Sequence, residues 1–92
     1  MPSAPTPSPG SPGTPTVTVR YWAGARAAAG VDGEQVRAAT VGQALAECLG
    51  RHAALAQVLA VATFLLDGRA VPRSAALTDG SVLEVLPPFA GG

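Results

Sequence analysis

The most informative segment of this sequence is its ending, which carries the terminal carboxylate on a thin backbone. The chain ends in the run Pro87-Pro88-Phe89-Ala90-Gly91-Gly92. Because the two glycines have no side chains, their backbone is thin enough to enter a narrow channel in another protein. The last four residues reach roughly 13 Å when they are extended. We therefore expect this tail to present the Gly92 carboxylate to a partner.

Two prolines separate the tail from the strand that is predicted before it. Pro87 and Pro88 lack amide donors and favour extended backbone, both in themselves and in the preceding Leu86. They are therefore expected to end the strand, to keep the tail off the edge of a sheet and to direct it outward.

Other side chains that could do chemistry have more ordinary interpretations. Cys48 lies on the apolar stripe of a predicted helix, where a free cysteine behaves as a small buried hydrophobe. A nucleophile pair of Cys48 with His52, four residues later, is the less favoured alternative. Arg69 and Arg73 form at most a small positive patch near a turn, which is typical of an ordinary surface.

Composition excludes several classes of protein. Ninety-two residues correspond to one small domain, and six basic residues balance six acidic ones. With no excess of positive charge, we predict neither a nucleic-acid nor a membrane partner. The single cysteine cannot form an intrachain disulfide, an iron-sulfur site or a cysteine-rich metal site. We expect no bound metal.

The apolar pattern also bears on location. The longest strongly apolar uncharged stretch, residues 53–66, is shorter than the roughly 20 residues that a membrane span needs. The N-terminus has neither the basic start nor the apolar region of a secretory signal. We therefore predict a cytoplasmic protein.

Residues 1–16 differ in composition from the rest. This segment holds six of the nine prolines, together with Ser, Thr and Gly, and carries no charged side chain. It has too few apolar side chains to offset its ordering entropy, so we predict a disordered tail. A docking ligand for a proline-reading domain is less favoured, because no arginine flanks the prolines.

The domain is predicted to occupy residues 17–92 and to open with two strands. Val17, Val19 and Tyr21 alternate with polar residues, as in a half-buried strand, and Trp22 falls on the opposite face. An Asp-Gly turn signal precedes a weak second strand at 35–38, which predicts a hairpin.

A helix is predicted next. Thr40 and Gln43 form a capping box, and apolar residues then recur at helical spacing to Leu49. Gly50 is the predicted end of this helix.

The remaining chain mixes strands with one further helical turn. Residues 55–66 are divided near Ala60 into a helical turn and a strand, because β-branched and aromatic residues begin at Val61. Turns at 67–68 and 79–80 flank a short edge strand at 70–72 and precede a last strand at 81–86. The predicted order is β-β-α-β-β, an α+β roll with one main helix packed across a mixed sheet.

These features together resemble the MoaD/ThiS sulfur carriers, which are ubiquitin-like β-grasp proteins. The resemblance covers residues 17–92. It rests on the opening strand, the Thr40-capped helix, and the strand that leads from Asp79-Gly80 into the Pro-Pro and Gly-Gly ending. The double proline and the length look more like the small subunit of molybdopterin synthase than like the shorter thiamine-pathway carriers.

The resemblance implies a function for the tail. An E1-like adenylating enzyme would use ATP to activate the Gly92 carboxylate, and a persulfide or other sulfurtransferase donor would convert it into a thiocarboxylate. This group would donate sulfur to cyclic pyranopterin monophosphate, held by the large subunit of molybdopterin synthase. The chain itself would be a non-catalytic carrier that binds no cofactor, because ATP belongs to the activating partner.

The resemblance also implies contact residues. The partners would bind the tail through Pro87, Pro88, Phe89, Ala90 and Gly91. A candidate docking face includes Leu86 and Trp22, where apolar and aromatic side chains would act as anchors, whereas Phe64 is interpreted as a core residue.

Two alternatives stay open. The same thiocarboxylate chemistry could serve thiamine, cysteine or another sulfur-containing metabolite. In a different class, the chain would be a β-grasp protein modifier or a plain interaction module.

Overall fold

The computed structural model describes residues 13–88, so most of the predicted tail at 1–16 lies outside the described residues. Five strands form one sheet in the order β2-β1-β5-β3-β4. The elements in chain order are β1 (Thr16–Tyr21), α1 (Ala23–Ala29), β2 (Gly33–Arg37), α2 (Val41–Arg51), α3 (Leu55–Leu59), β3 (Thr63–Leu66), β4 (Arg69–Ala70) and β5 (Val82–Leu86).

The first and last strands pair in parallel at the centre of the sheet. Val19 stands opposite Leu83, and Tyr21 stands opposite Val85. The outer neighbours are antiparallel, with β2 beside β1 and β3 beside β5. A mixed sheet of this order with a helix packed across it is the β-grasp architecture, so the predicted fold class is confirmed.

The core lies between one face of this sheet and the helices. Alternate residues of β1 and β5 point into it, as the period-two pattern predicts, and α2 and α3 supply the facing side chains. Phe64 is buried there, which confirms its interpretation as a core residue. The most deeply buried large side chains are Leu45, Leu55, Leu83, Val17, Val19, Val36, Val41 and Val85.

The predicted start of α2 is confirmed. The Thr40 hydroxyl oxygen accepts a hydrogen bond of 3.2 Å from the backbone amide of Gln43. The Gln43 side-chain oxygen accepts in return from the amide of Ala39, at 2.9 Å. The reciprocal bonds satisfy two amides near the helix start that have no partner within the helix.

The predicted end of α2 at Gly50 is wrong. Gly50 has no positive φ, and the helix continues to Arg51 with His52 as its C-cap. The backbone leaves helical geometry at His52, whose side chain contacts Glu34 of β2. The helix therefore ends where the His52 side chain contacts Glu34, and not at the glycine.

The connection between the first two strands corrects the predicted hairpin and the order β-β-α-β-β. β1 and β2 are antiparallel neighbours, as predicted, but the helix α1 joins them. Its alanines have high helix propensity, and Ala25 and Ala29 bury one face four residues apart. The helix ends at Gly30, whose φ of 78° places it in the left-handed region.

The later elements follow the prediction closely. The division near Ala60 is confirmed, because α3 ends at Leu59 and β3 begins at Thr63. β4 occupies 69–70, whereas the edge strand was predicted at 70–72. Asp67 and Gly68 both have positive φ, which suits a tight two-residue hairpin between β3 and β4. Within residues 13–88, no helix has the length and apolar character to cross a bilayer.

Two glycine substitutions test this account of the fold. A Cβ at Gly33 would lie 2.7 Å from the backbone oxygen of Val19, whereas a Cβ at Gly50 would meet nothing within 4 Å. We expect Gly33→Ala to lower the free energy of unfolding by about 1–3 kcal/mol through overpacking. Gly50→Ala should raise it by about 0.5–1 kcal/mol, because alanine is the better helix former. Urea denaturation measures both, and a Gly33→Ala variant as stable as the wild type would contradict the close approach of β2 to β1.

Candidate functional site

The tail begins at the end of β5, which is the central strand of the sheet. We call Leu86, Pro87 and Pro88 the tail root. Leu86 is half-buried and pairs with Thr63, whereas Pro87 is buried and Pro88 is exposed. The two prolines follow the strand directly, so the tail root is fixed by the packing of β5.

Residues 89–92 lie outside the described residues. The roles predicted for Phe89, Ala90, Gly91 and Gly92 therefore stay predictions.

One face of the sheet points away from the helices, and we call it the outer sheet face. Its residues alternate with the core residues along each strand. Three of its positions are charged, namely Arg20 of β1, Glu84 of β5 and Arg37 of β2. The others include Thr18 of β1, Gln35 of β2, Val82 and Leu86 of β5, and Leu65 of β3.

Trp22 is held on this face by two charged neighbours. Its indole Nε1 donates to a carboxylate oxygen of Glu84 at 3.0 Å. The Arg20 guanidinium carbon lies 5.3 Å from the centroid of the indole ring, within range of a cation–π interaction. Arg20 and Glu84 are paired across β1 and β5, and the indole stays 38% exposed. Trp22 and Leu86 therefore share the outer sheet face near the tail root.

A polar cluster at the same end of the sheet is absent from the sequence interpretation. The Glu34 carboxylate accepts from the Tyr21 hydroxyl at 2.5 Å and from Arg51 at 3.2 Å, and it contacts His52 Nε2 at 2.8 Å. Arg51 also donates to the backbone oxygen of Gln35 at 3.0 Å. The cluster joins β1, β2 and the end of α2. Glu34 lies 13 to 18 residues from its three side-chain partners in the sequence, so local spacing gave no signal.

The cluster fixes two protonation states. Burial acts to raise the pKa of Glu34, but the hydrogen bonds from Tyr21 and Arg51 and the nearby His52 outweigh it, and the net pKa is lowered. Burial raises the pKa of the Tyr21 phenol, and the neighbouring Cys48 and Glu34 raise it further. Glu34 is therefore a carboxylate and Tyr21 a neutral donor at neutral pH.

Cys48 and Arg73 have structural roles, whereas Arg69 is exposed on β4. Cys48 is fully buried, and burial raises the pKa of its thiol. The Nε2 atom of His52 contacts the Glu34 carboxylate. Arg73 donates to the backbone oxygen of Leu59 at 2.6 Å and lies over the Phe64 ring. Across residues 13–88, no three His, Cys, Asp or Glu side chains are grouped as metal ligands would be.

The sheet order and the central last strand define a ubiquitin-like β-grasp protein. The ThiS family model matches residues 19–92. The chain therefore belongs to the ThiS family, as its resemblance to the MoaD/ThiS carriers predicted. No curated protein sequence gives a significant match.

Solved structures agree with this assignment. SAMP1 from Haloferax volcanii is 28% identical with a TM-score of 0.75, over 84% of this chain and 99% of that one. A protein proposed to be molybdopterin converting factor subunit 1 from Pyrococcus furiosus is 29% identical with a TM-score of 0.74, over 83% and 100%. The complex of subunits 1 and 2 of the molybdopterin-converting factor from Helicobacter pylori contains a chain that is 24% identical with a TM-score of 0.65, over 84% and 99%. The structural relatives thus include subunits of molybdopterin-converting factors and small archaeal modifier proteins.

The Glu34 cluster predicts a pH dependence of stability. The pKa of Glu34 is lower in the folded than in the unfolded chain. Its contribution to the free energy of unfolding is therefore fully present when the pH is above its ordinary pKa of 4.5. It is lost as the pH falls through the folded pKa. We expect Glu34→Gln to lower the free energy of unfolding at pH 7 by about 1–3 kcal/mol and to flatten its decline in acid.

Urea denaturation from pH 7 to pH 3 measures both effects. Glu47→Gln is the matched control, since Glu47 is exposed on α2 and belongs to none of these hydrogen bonds. Equal stability of Glu34→Gln and Glu47→Gln at pH 7 would show that the cluster does not stabilise the fold.

Proposed function

We propose that this chain is a sulfur carrier whose Gly92 carboxylate is adenylated and then converted into a thiocarboxylate. The observation that carries the proposal is the position of β5. This strand is paired on both sides, and the Pro-Pro pair follows it directly. The match to the ThiS family extends through the Gly-Gly ending to residue 92. A rigid root is thus followed by four residues that span about 13 Å when extended.

The proposed chemistry needs activation first, because a carboxylate has no good leaving group. An adenylating enzyme joins a Gly92 carboxylate oxygen to the α-phosphorus of ATP, and pyrophosphate leaves. Sulfide then attacks the carbonyl carbon, a C–S bond forms, and AMP departs with the electron pair of the broken C–O bond. With a persulfide donor, a thiol reduces the resulting acyl disulfide and releases the thiocarboxylate.

We favour molybdenum cofactor biosynthesis as the pathway. The acceptor would be cyclic pyranopterin monophosphate, held by the large subunit of molybdopterin synthase. The similarity to the Pyrococcus furiosus protein and to the Helicobacter pylori complex supports this choice. The double proline supports it as well. Delivery to thiamine, cysteine or another sulfur metabolite would use the same thiocarboxylate.

A protein modifier is the second candidate. The similarity to SAMP1, a small archaeal modifier protein, favours it. In that role a lysine amine of another protein would attack the same activated Gly92 carbonyl and form an isopeptide bond. The two candidates therefore share the adenylate and differ in the nucleophile that follows.

We further propose that the outer sheet face docks the partners. Trp22 and Leu86 place apolar surface beside the tail root, and aromatic residues commonly dominate binding energies at interfaces. Arg20 and Glu84 hold the indole in one position, which reduces the entropy lost on binding.

Truncation of the indole tests this docking face. We expect Trp22→Ala to raise the KM of the adenylating enzyme for the carrier about tenfold with little change in kcat. Glu47→Ala, an exposed change on α2 on the other side of the sheet, should leave both constants unchanged. ATP–pyrophosphate exchange measures them, and circular dichroism checks that the variants fold. An unchanged KM for Trp22→Ala would show that the enzyme does not dock on this face.

The intact mass of the protein tests the carrier function directly. After incubation with ATP, the adenylating enzyme and a sulfide source, we expect the mass increase that replacement of one oxygen by one sulfur produces. Deletion of Gly92 should abolish the increase. Addition of one alanine after Gly92 should abolish sulfur transfer while the fold stays intact, because the reactive carbonyl is displaced.

The outcomes separate the candidates. A thiocarboxylate that converts cyclic pyranopterin monophosphate in the presence of the large subunit supports the favoured pathway. Conjugates to lysines of other proteins, formed without a thiocarboxylate, would support the modifier. An unchanged mass, with an adenylating enzyme shown to be active, would support the interaction module.

A further inference from the structure

The residues of α3 and its flanking turns carry no charge of their own. Residues 53–66 contain no Asp, Glu, Arg, Lys or His. The helix buries Leu55 and Leu59, so its other side faces outward. A surface helix usually presents charged or polar residues there. The exposed residues, which we call the α3 patch, are Ala53, Ala54, Ala56, Gln57, Ala60 and Val61.

The most exposed large hydrophobic residue among those described belongs to this patch. Val61 is 59% exposed, compared with 38% for Trp22. Single exposed apolar residues need no explanation, but a contiguous uncharged surface is typical of an interaction site. Ala60 and Val61 continue the patch beyond the end of the helix.

The patch reaches the tail root. A depression of about 200 Å³ is lined by Gln57, Val58, Val61 and Pro87. Pro87 is buried, so the first residue of the tail is part of the wall of this depression. The uncharged surface of α3 therefore continues to the place where the tail leaves the domain.

We propose that the α3 patch is a docking surface for the adenylating enzyme that accepts the tail, an inference that rests on the proposed function. Four residues follow Pro88, and they span about 13 Å when extended. An enzyme that binds the Gly92 carboxylate in its active site must bring its own surface within that distance of Pro88. Its surface then covers the neighbourhood of the tail root.

The size of an ordinary interface supports this coverage. Such an interface occupies about 800 Å² of each partner, which corresponds to a disc of about 16 Å radius. A disc centred on the tail root includes Val61, because Val61 and Pro87 line one depression. The α3 patch can be covered without desolvating any charge of its own. Arg73 borders the patch on the side of Ala60, where it donates to the Leu59 carbonyl. On the side of the tail root, the matching enzyme surface is therefore uncharged and apolar.

This surface is distinct from the outer sheet face. Trp22 and Leu86 lie on the side of the sheet that points away from the helices, whereas α3 packs on the core side. Contact with both would enclose the tail root from two sides. The tail would then enter the enzyme in one orientation.

Insertion of a charge into the patch tests the proposal. The full chain is assayed by ATP–pyrophosphate exchange with the adenylating enzyme of the same organism. We expect both Val61→Arg and Val61→Glu to raise the KM for the carrier about tenfold, with kcat changed less than twofold. Opposite charges should act alike, because each must be desolvated on an apolar surface.

Matched controls carry the same charges at the far end of the domain. Ala76 is exposed and pairs with Thr40, beside the start of β1, so Ala76→Arg and Ala76→Glu should keep the wild-type KM. Gln57→Arg and Gln57→Glu repeat the test within the patch, on a helical position where both new residues are good helix formers. They replace the Val61 variants if urea denaturation shows that the latter do not fold.

Each outcome has a separate meaning. If the wild-type chain is not adenylated, the proposed carrier function fails. If it is adenylated and the patch variants keep its KM, the α3 inference is overturned while the carrier function stands. An effect of only one sign of charge would also overturn it, since the contact would then be electrostatic. A wild-type dimer that the variants dissociate without a change in KM would assign the patch to self-association instead.

Discussion

The parallel pairing of the first strand with the last is the interaction on which the rest of the structure depends. Thr18 pairs with Val82, so nearly the whole described chain lies between the two partners. Parallel neighbours cannot be joined by a tight turn, and the helices and outer strands form the connection. The pairing places β5 at the centre, with β1 on one side and β3 on the other. The tail thus starts from one of the most heavily supported strands and not from a free edge.

The same pairing gives the two faces of the sheet different roles. On the inner face, Val19 and Leu83 are fully buried against the helices. On the outer sheet face, the next residues along the two strands, Arg20 and Glu84, hold Trp22 instead. The Glu34 cluster then ties β2 to the end of α2 on the inner side. Both faces are therefore ordered near the tail root, which lets a partner bind a preformed surface.

Features of the fold that depend on local chemistry were predictable from the sequence. Thr40 and Gln43 cap α2, and the alternation from Val17 to Tyr21 sets the inner face of β1, because both depend on neighbours within a few residues. The helix α1 escaped prediction since it has no side-chain cap at Trp22 and only seven residues. The end of α2 and the Glu34 cluster escaped because they depend on β2 lying beside His52. Of the candidate site, strand alternation placed Trp22 on the face opposite Val19, and the resemblance to the MoaD/ThiS carriers grouped it with Leu86. The continuity between α3 and Pro87 required the packed structure.

A tail that carries an activated acyl group, as we propose, also needs a domain that does not react with it. Thiolates, phenolates and amines are the protein groups that attack such a carbonyl. Burial keeps the Cys48 thiol and the Tyr21 phenol protonated, and Tyr21 donates its hydrogen to Glu34. All six basic residues are arginines, whose guanidinium groups stay protonated and are poor nucleophiles. The packing that stabilises the core therefore also keeps Cys48 and Tyr21 from attacking the tail, and on our proposal the partner that binds the tail supplies the nucleophile.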